Sequence, residues 1–510
     1  MRKHLLIGAS LALVLSAPAF ASESDIDQTG TGHIADVDQT GGLGGESDID
    51  QTGSDNYAEV TQSDALAAVG ATLNDSFITQ GGTYNNAVVN QMSLGTASDD
   101  ANVSSIEQTN SDDTANVTQL GTGNSSDVVQ NDTGWALAVV DQKGMDNVAD
   151  IEQDGYDGTA KVFQGNGSGT EAGNETYITQ QGDGTSATVY QDDSSNSMTI
   201  QQYGANDSIL ADQSGDSNVA TILQDSTGSL ILVTQVAGTE GNFANLEQTG
   251  ATASTLNVIQ VGSGNEVGTE SEAFLQEASR WSVTLEQYGD DNRMTGDQDG
   301  TDVTLAALQD GFHNKLDVHQ DGAESDFVSN QTGAHNTIWA YQTAYDGSLV
   351  DLNQDGDTNF MNIVQEGDAQ TMLVSQTSDM NEAYLRQYGA DNVMDLKQNT
   401  GNLNNATLLQ YGNLNELLLD QSGTGNKAYA DQDGELNSTD IDQLGTENDA
   451  WVDQSGWENE ISILQVSGDA KATVHQGGGS YNTVSIVQGS LGAVSYVTQD
   501  GSSNTATVTQ

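Results

Sequence analysis

The stretch Asn56-Tyr57-Ala58-Glu59-Val60-Thr61-Gln62 decides the fold. Its period is two: Asn56, Ala58, Val60 and Gln62 fall on one face, and Tyr57, Glu59 and Thr61 on the other. Such alternation is the signature of a strand with one face turned inward, and a β-branched residue at an apolar point strengthens it. The same frame returns as Asn147-x-Ala149-x-Ile151-x-Gln153, Asn426-x-Ala428-x-Ala430-x-Gln432 and Asn504-x-Ala506-x-Val508-x-Gln510. No comparable stretch has a helical period.

Working outward from that stretch, the closing glutamine recurs along the chain. Gln28, Gln39, Gln51 and Gln62 begin the series; Gln142 and Gln153, Gln387 and Gln398, and Gln421, Gln432, Gln443 and Gln454 continue it; Gln499 and Gln510 end it. There are 42 such glutamines, nearly all 11 or 12 residues apart, and from Gln276 onward 22 follow without a wider interval. Four intervals are wider, 62 to 80, 91 to 108, 164 to 180 and 260 to 276. They are expected to be loops inserted at turns, because arrays tolerate insertions there and not within strands. Two residues before the glutamine the side chain is apolar in 40 of the 42 units, Gly296 and Ser329 being the exceptions.

Turn residues are as regular as the strands. A glycine usually stands two residues after the glutamine, as at Gly30, Gly204, Gly389 and Gly445. The expectation is that glycine supplies the positive φ of a tight reversal, with a following Asn or Asp bonding the local backbone. Each unit is then a strand of about seven residues and a turn of about four. Two units make one coil, so the 42 units predict an all-β solenoid of stacked strand-turn-strand coils: two facing parallel in-register sheets and about 21 coils. At ~4.8 Å per coil the rod is on the order of 100 Å long. The inward glutamines, and Asn56, Asn147, Asn426 and Asn504 with their equivalents, are expected to stack on their own kind. Their amides would form hydrogen-bonded ladders that satisfy groups otherwise costly to bury.

Composition limits the function. The 510 residues include 57 Gly, one Pro and no Cys, with 75 Asp and Glu against 11 Lys and Arg, a formal charge of −64. Nucleic acid is excluded as a partner by that balance, and disulfides and thiolate metal sites by the lack of cysteine. Residues 1–21 read as a signal peptide: Arg2, Lys3 and His4, an apolar run from Leu5 to about Leu15, and Ala19-Phe20-Ala21 as a cleavage pattern. That run is too short to span a membrane. Loss of Arg2 and Lys3, with no acid in the segment, takes the charge to −66. The remaining chain divides into an array with four longer inserts, 22–275, and an uninterrupted array, 276–510.

Asn-x-Ala-x-Val-x-Gln followed by x-Gly and a second strand ending in Gln resembles the repeat of curlin, the subunit of the curli amyloid fibre of Gram-negative bacteria. The resemblance covers residues 22 to 510. It implies a secreted β-solenoid that polymerises with itself, end to end, into a cell-surface fibre for biofilm matrix and adhesion, with an outer-membrane export channel and a nucleator subunit as partners. The chain departs from the family in three ways: it has many more repeats, no Gly- and aromatic-rich segment follows residue 21, and the serine at a strand start, seen at Ser24 and Ser47, is patchy. Two other classes fit the pattern less well. A non-polymerising surface adhesin or ice-binding solenoid would want polar capping coils and, for ice, a regular Thr-x-Thr face; the outward positions mix Asp, Thr, Glu and aliphatics. A β-helical polysaccharide enzyme needs a convergent acid, base or metal cluster, and no local motif supplies one.

Among outward residues, Asp420, Asp431, Asp442 and Asp453 each precede a ladder glutamine, and two units per coil put Asp420 over Asp442 and Asp431 over Asp453. Like charges ~4.8 Å apart repel by about 0.9 kcal/mol in water. The expected role is a solvated acidic face that slows premature assembly, with weak structural calcium bridging the stacks as the sharper alternative. No other cofactor is expected. His319 and His475 are read as solvated, Tyr203, Tyr288, Tyr388 and Tyr411 as turn-packing, and Gly165-x-Gly167-x-Gly169 as an insert rather than a phosphate loop. Screening of the −66 charge by salt should speed growth.

Overall fold

The computed structural model describes residues 22–40, 44–64, 74–94, 101–131, 134–165, 172–280, 282–344 and 346–510. Residues 1–21, read above as a signal peptide, lie outside them. The described chain is an all-β parallel solenoid. Strands alternate, with one exception, between two sheets of 22 and 21 strands, and among the described residues there is no helix and hence none long and apolar enough to cross a membrane. The first sheet has 22 strands because one is broken: Glu266–Val267 and Phe274–Ser279 both lie between Phe243–Thr252 and Arg293–Thr301. That leaves 21 levels in each sheet, hence 21 coils.

Register follows the sequence unit for unit. In the first sheet Lys427–Glu435 pairs with Asp449–Trp457 so that Ala428, Ala430 and Gln432 meet Ala450, Val452 and Gln454. In the second, Ser438–Gln443 pairs with Glu460–Gln465, placing Thr439, Ile441 and Gln443 on Ile461, Ile463 and Gln465. A one-residue slip would turn every inward side chain to water, and this fixes the register. Inward alanines and aliphatics are fully buried, as at Ala149, Ile151, Ala450 and Val452. Both sheets are open at their ends. Glu23–Thr31 pairs only with Glu46–Ser54, and Thr505–Thr509 only with Thr483–Gln488.

The two units without an apolar residue before their glutamine are each compensated by a phenylalanine. Gly296 lies one rung beyond the buried Phe274 in the same column, and Ser329 shares its strand with the buried Phe327. Close packing requires such volume balance along the core.

Three wide intervals fall between strands, with 65–73, 95–100 and 166–171 outside the described residues. The fourth does not sit at a turn. Residues 268–273 leave the first sheet in mid-strand, and Leu275 re-enters opposite Asp297. A strand tolerates this because both flanks keep their partners: Glu266 and Val267 stay on Arg293 and Met294, and Thr269 closes the loop on Glu272 at 2.7 Å.

The reversal chemistry also differs from expectation. Gly30 and Gly389 have φ of +142° and +117°, whereas Gly204 and Gly445 lie outside the left-handed region. What Gly204 and Gly445 supply is absence of a side chain, since a Cβ there would lie 1.7 Å from Ser226 O and 2.1 Å from Ser467 O of the next coil. The left-handed residue of the turn is the one before the asparagine, and it is seldom glycine. Asp55, Asp146 and even Leu414 and Leu436 hold φ near +56°. Of the triple-glycine insert, Gly165 has φ +77°, and Gly167 and Gly169 lie outside the described residues.

Candidate functional site

The inward polar columns run the length of the rod. In the first sheet the Nε2 of Gln28 donates to Oε1 of Gln51, and the pattern passes, with one rung missing between Gln276 and Gln298, to Gln499 at 2.6–3.0 Å. In the second, Gln39 donates to Gln62 and the chain of bonds continues through Gln142, Gln398, Gln421 and Gln443 to Gln488 at 2.7–3.0 Å. The last rung is indirect, Ser495 receiving from Gln488 and donating to Gln510. Gln51, Gln153, Gln387, Gln432 and Gln454 are wholly buried, while Gln28 and Gln510, on the end coils, are exposed.

Glutamine is needed, not merely tolerated, because its amide carries two protons with different destinations. One goes along the axis. The other crosses to the facing strand, as from Gln443 to Lys427 O at 2.9 Å and from Gln421 to Asn405 O at 3.1 Å. The column therefore ties coil to coil and sheet to sheet, and all its donors point toward the C-terminal end. One rung is broken. Gln276 Nε2 and Gln298 Oε1, at the level of the split strand, are buried without a partner.

The asparagine column works differently from the expected amide-to-amide ladder. Its Oδ1 accepts the backbone N–H of the next asparagine: Asn56 from Asn85, Asn124 from Asn147, Asn404 from Asn426 and Asn482 from Asn504. Its Nδ2 mostly braces the turn, Asn56 to Thr52 O at 2.9 Å and Asn426 to Gly445 O at 3.0 Å. Direct amide rungs occur in places, including Asn147 to Asn124 and Asn504 to Asn482, both at 3.0 Å. A buried turn backbone must be bonded, and the short Asx side chain reaches it. Asp113 and Asp207 occupy this column fully buried. The period alone could have located both. Burial raises the Asp207 pKa, partly offset by bonds from Ser229 and Ser226.

Outside, Asp420 stacks on Asp442 and Asp431 on Asp453, as the period implies. Burial raises the Asp442 and Asp431 pKa values, with the neighbouring carboxylates adding to it. Among the described residues no three His, Cys, Asp or Glu side chains converge as a metal site requires. His319 and His475 are not solvated alone. Each sits one rung beyond an aspartate, His319 on Asp297 and His475 on Asp453 at 2.9 Å. Tyr388 and Tyr411 stack with ring centroids 5.1 Å apart, while Tyr203 stands 40% exposed on its turn and Tyr288 bonds Glu286 at 3.2 Å.

A family profile described as curlin associated repeat matches residues 412–445 and 434–466. No curated protein matches the chain. The matched residues are similar to curlin associated repeats, and they hold the same register, amide rungs and turns as the coils on either side.

Proposed function

We propose that the chain is a structural subunit, exported by the 1–21 segment, that assembles end to end into an extracellular curli-like fibre for biofilm matrix and adhesion. The observation that carries the reading is the complementarity of the two end coils. Ser24, Ile26 and Gln28 occupy the same columns as Ser495, Val497 and Gln499, and Ala35, Val37 and Gln39 the same as Ala506, Val508 and Gln510. A second copy set on the last coil would continue every column, with Gln499 and Gln510 as donors and Gln28 and Gln39 as acceptors. Ile26 is 44% exposed, and Val37 and Val508 are only half-covered, so stacking also buries apolar surface. An export channel and a nucleator are the further partners this reading entails.

The test is to incubate residues 22–510 and follow filament growth by electron microscopy and fibre diffraction. Filaments with reflections near ~4.8 and ~10 Å are expected, growing faster as salt screens the acidic charge. Val508→Lys, which puts a charge on the inner face of the end coil, should stop growth there. A chain that stays monomeric at all salt concentrations refutes the reading.

A further inference from the structure

The two outer faces of the rod are chemically unlike over the second half of the chain. Consider the three outward positions before each glutamine. From Ser282 to Thr509 the second sheet presents nine acids, one base and no aromatic residue there. From Arg293 to Thr498 the first sheet presents seven aromatics, with six acids against five bases. Those five, Arg293, Lys315, Arg386, Lys427 and Lys471, are more than half of the nine basic residues that follow residue 21. At those three positions one face of a strongly acidic rod is thus close to neutral and rich in rings.

The rings are ordered. Trp339, Tyr384, Tyr429, Trp451 and Tyr496 stand in a single column, three residues before the glutamine. Trp339, Tyr384 and Tyr429 lie two coils apart, with Asn362 and Thr407 between them; Trp451 stacks on Tyr429 in the adjacent coil with ring centroids 6.0 Å apart, and Tyr496 follows two coils later beyond Thr473. Two coils are about 9.6 Å at the usual strand spacing, which is close to the disaccharide repeat of an extended β-1,4-linked glycan. Trp339 is 51% and Tyr496 76% exposed.

Recesses open beside the column. One of about 330 Å³ sets Trp339 and Tyr341 against Asn362 and Asp317, and one of about 500 Å³ sets Phe360 and Tyr384 against Glu382. Each pairs a ring wall with an amide or carboxylate. That is the chemistry a sugar requires, the C–H face lying on the ring and the hydroxyls bonding the polar group.

We propose that this outer face, from Trp339 to Tyr496, binds a neutral β-1,4-linked polysaccharide laid along the rod axis. Near-neutrality fits an uncharged polymer, and the charge of the rest of the rod opposes polyanions. The site is present on the single chain and does not depend on assembly.

The freshly purified chain 22–510 is co-sedimented, before filaments form, with microcrystalline cellulose, chitin powder, granular starch and alginate. Retention by cellulose or chitin is expected, with starch and alginate leaving the chain in solution. The triple variant Trp339→Ala, Tyr384→Ala, Trp451→Ala should bind at least about tenfold more weakly, and Tyr57→Ala with Tyr190→Ala on the other sheet should bind normally. Circular dichroism checks that the triple variant is folded, and single Trp339→Ala serves if it is not. No retention by either β-1,4 polymer, or full retention of the ring variants, overturns the proposal. So does loss of side-by-side filament association in the triple variant without any polysaccharide binding by the parent, which would make the face a contact between copies.

Discussion

Replacing Gln443 by leucine tests the ladder where it is most regular. Gln443 Oε1 accepts from Gln421 at 2.9 Å, and its amide donates to Gln465 Oε1 and to Lys427 O, both at 2.9 Å. Leucine fills a similar volume but strands Gln465 Oε1 and one proton of Gln421, whose other proton keeps Asn405 O, and Lys427 O keeps its place in the strand ladder. Two stranded buried groups cost about 1–3 kcal/mol each; the added apolar burial returns about 1–2 kcal/mol; the net loss is about 1–4 kcal/mol. The Gln298→Leu change should cost roughly half as much, because Gln298 Oε1 already lacks a partner and only the bond to Gln320 is lost. Gln443→Glu adds a pH signature. A carboxylate there would face two acceptors, Gln465 Oε1 and Lys427 O, so its folded pKa is raised; stability is present while the group is protonated and is lost as pH rises through that raised value. Because coils unfold locally in repeat arrays, hydrogen exchange read on peptides within 416–465 is the assay. Equal protection in Gln443→Leu and the parent would refute the idea that the amide columns hold the coils together.

Leu436→Gly should raise the local stability by about 0.5–1 kcal/mol, since a branched residue at φ +56° is strained by more than glycine's extra chain entropy; exchange rates around 432–443 report it. Gly204→Ala should destabilise by at least about 2 kcal/mol, although the residue is not left-handed, because its Cβ would meet Ser226 O; unchanged urea resistance of the 186–229 coils would contradict this. Asp207→Asn should stabilise by about 1 kcal/mol at neutral pH, and its advantage should shrink on acidification. The raised pKa means that the buried carboxyl is best tolerated protonated, so its penalty appears as pH rises and fades as pH falls. Thermal melts of parent and variant across the acidic range give the comparison.

By itself the sequence determined the strand period, the inward and outward faces, the pairing of like glutamines and the number of coils. Each rests on a local rule, the alternation of side chains along a strand, repeated at an interval that admits one stacking. It placed Gln432 over Gln454 and Asp431 over Asp453 without any coordinates. The tertiary structure decided what depends on neighbours one coil away. Gly204 and Gly445 are required by a carbonyl 22 residues further along, the left-handed turn residue keeps its φ even before Ala136, Val303 and Ala470, and Phe274 and Gly296 share one column's volume. The amide proton that crosses to the facing strand, and the ring column on a single outer face, exist only once the coils are stacked. Stacking brings together residues more than twenty positions apart, and the physics of a single unit carries no information about which residue lies above it.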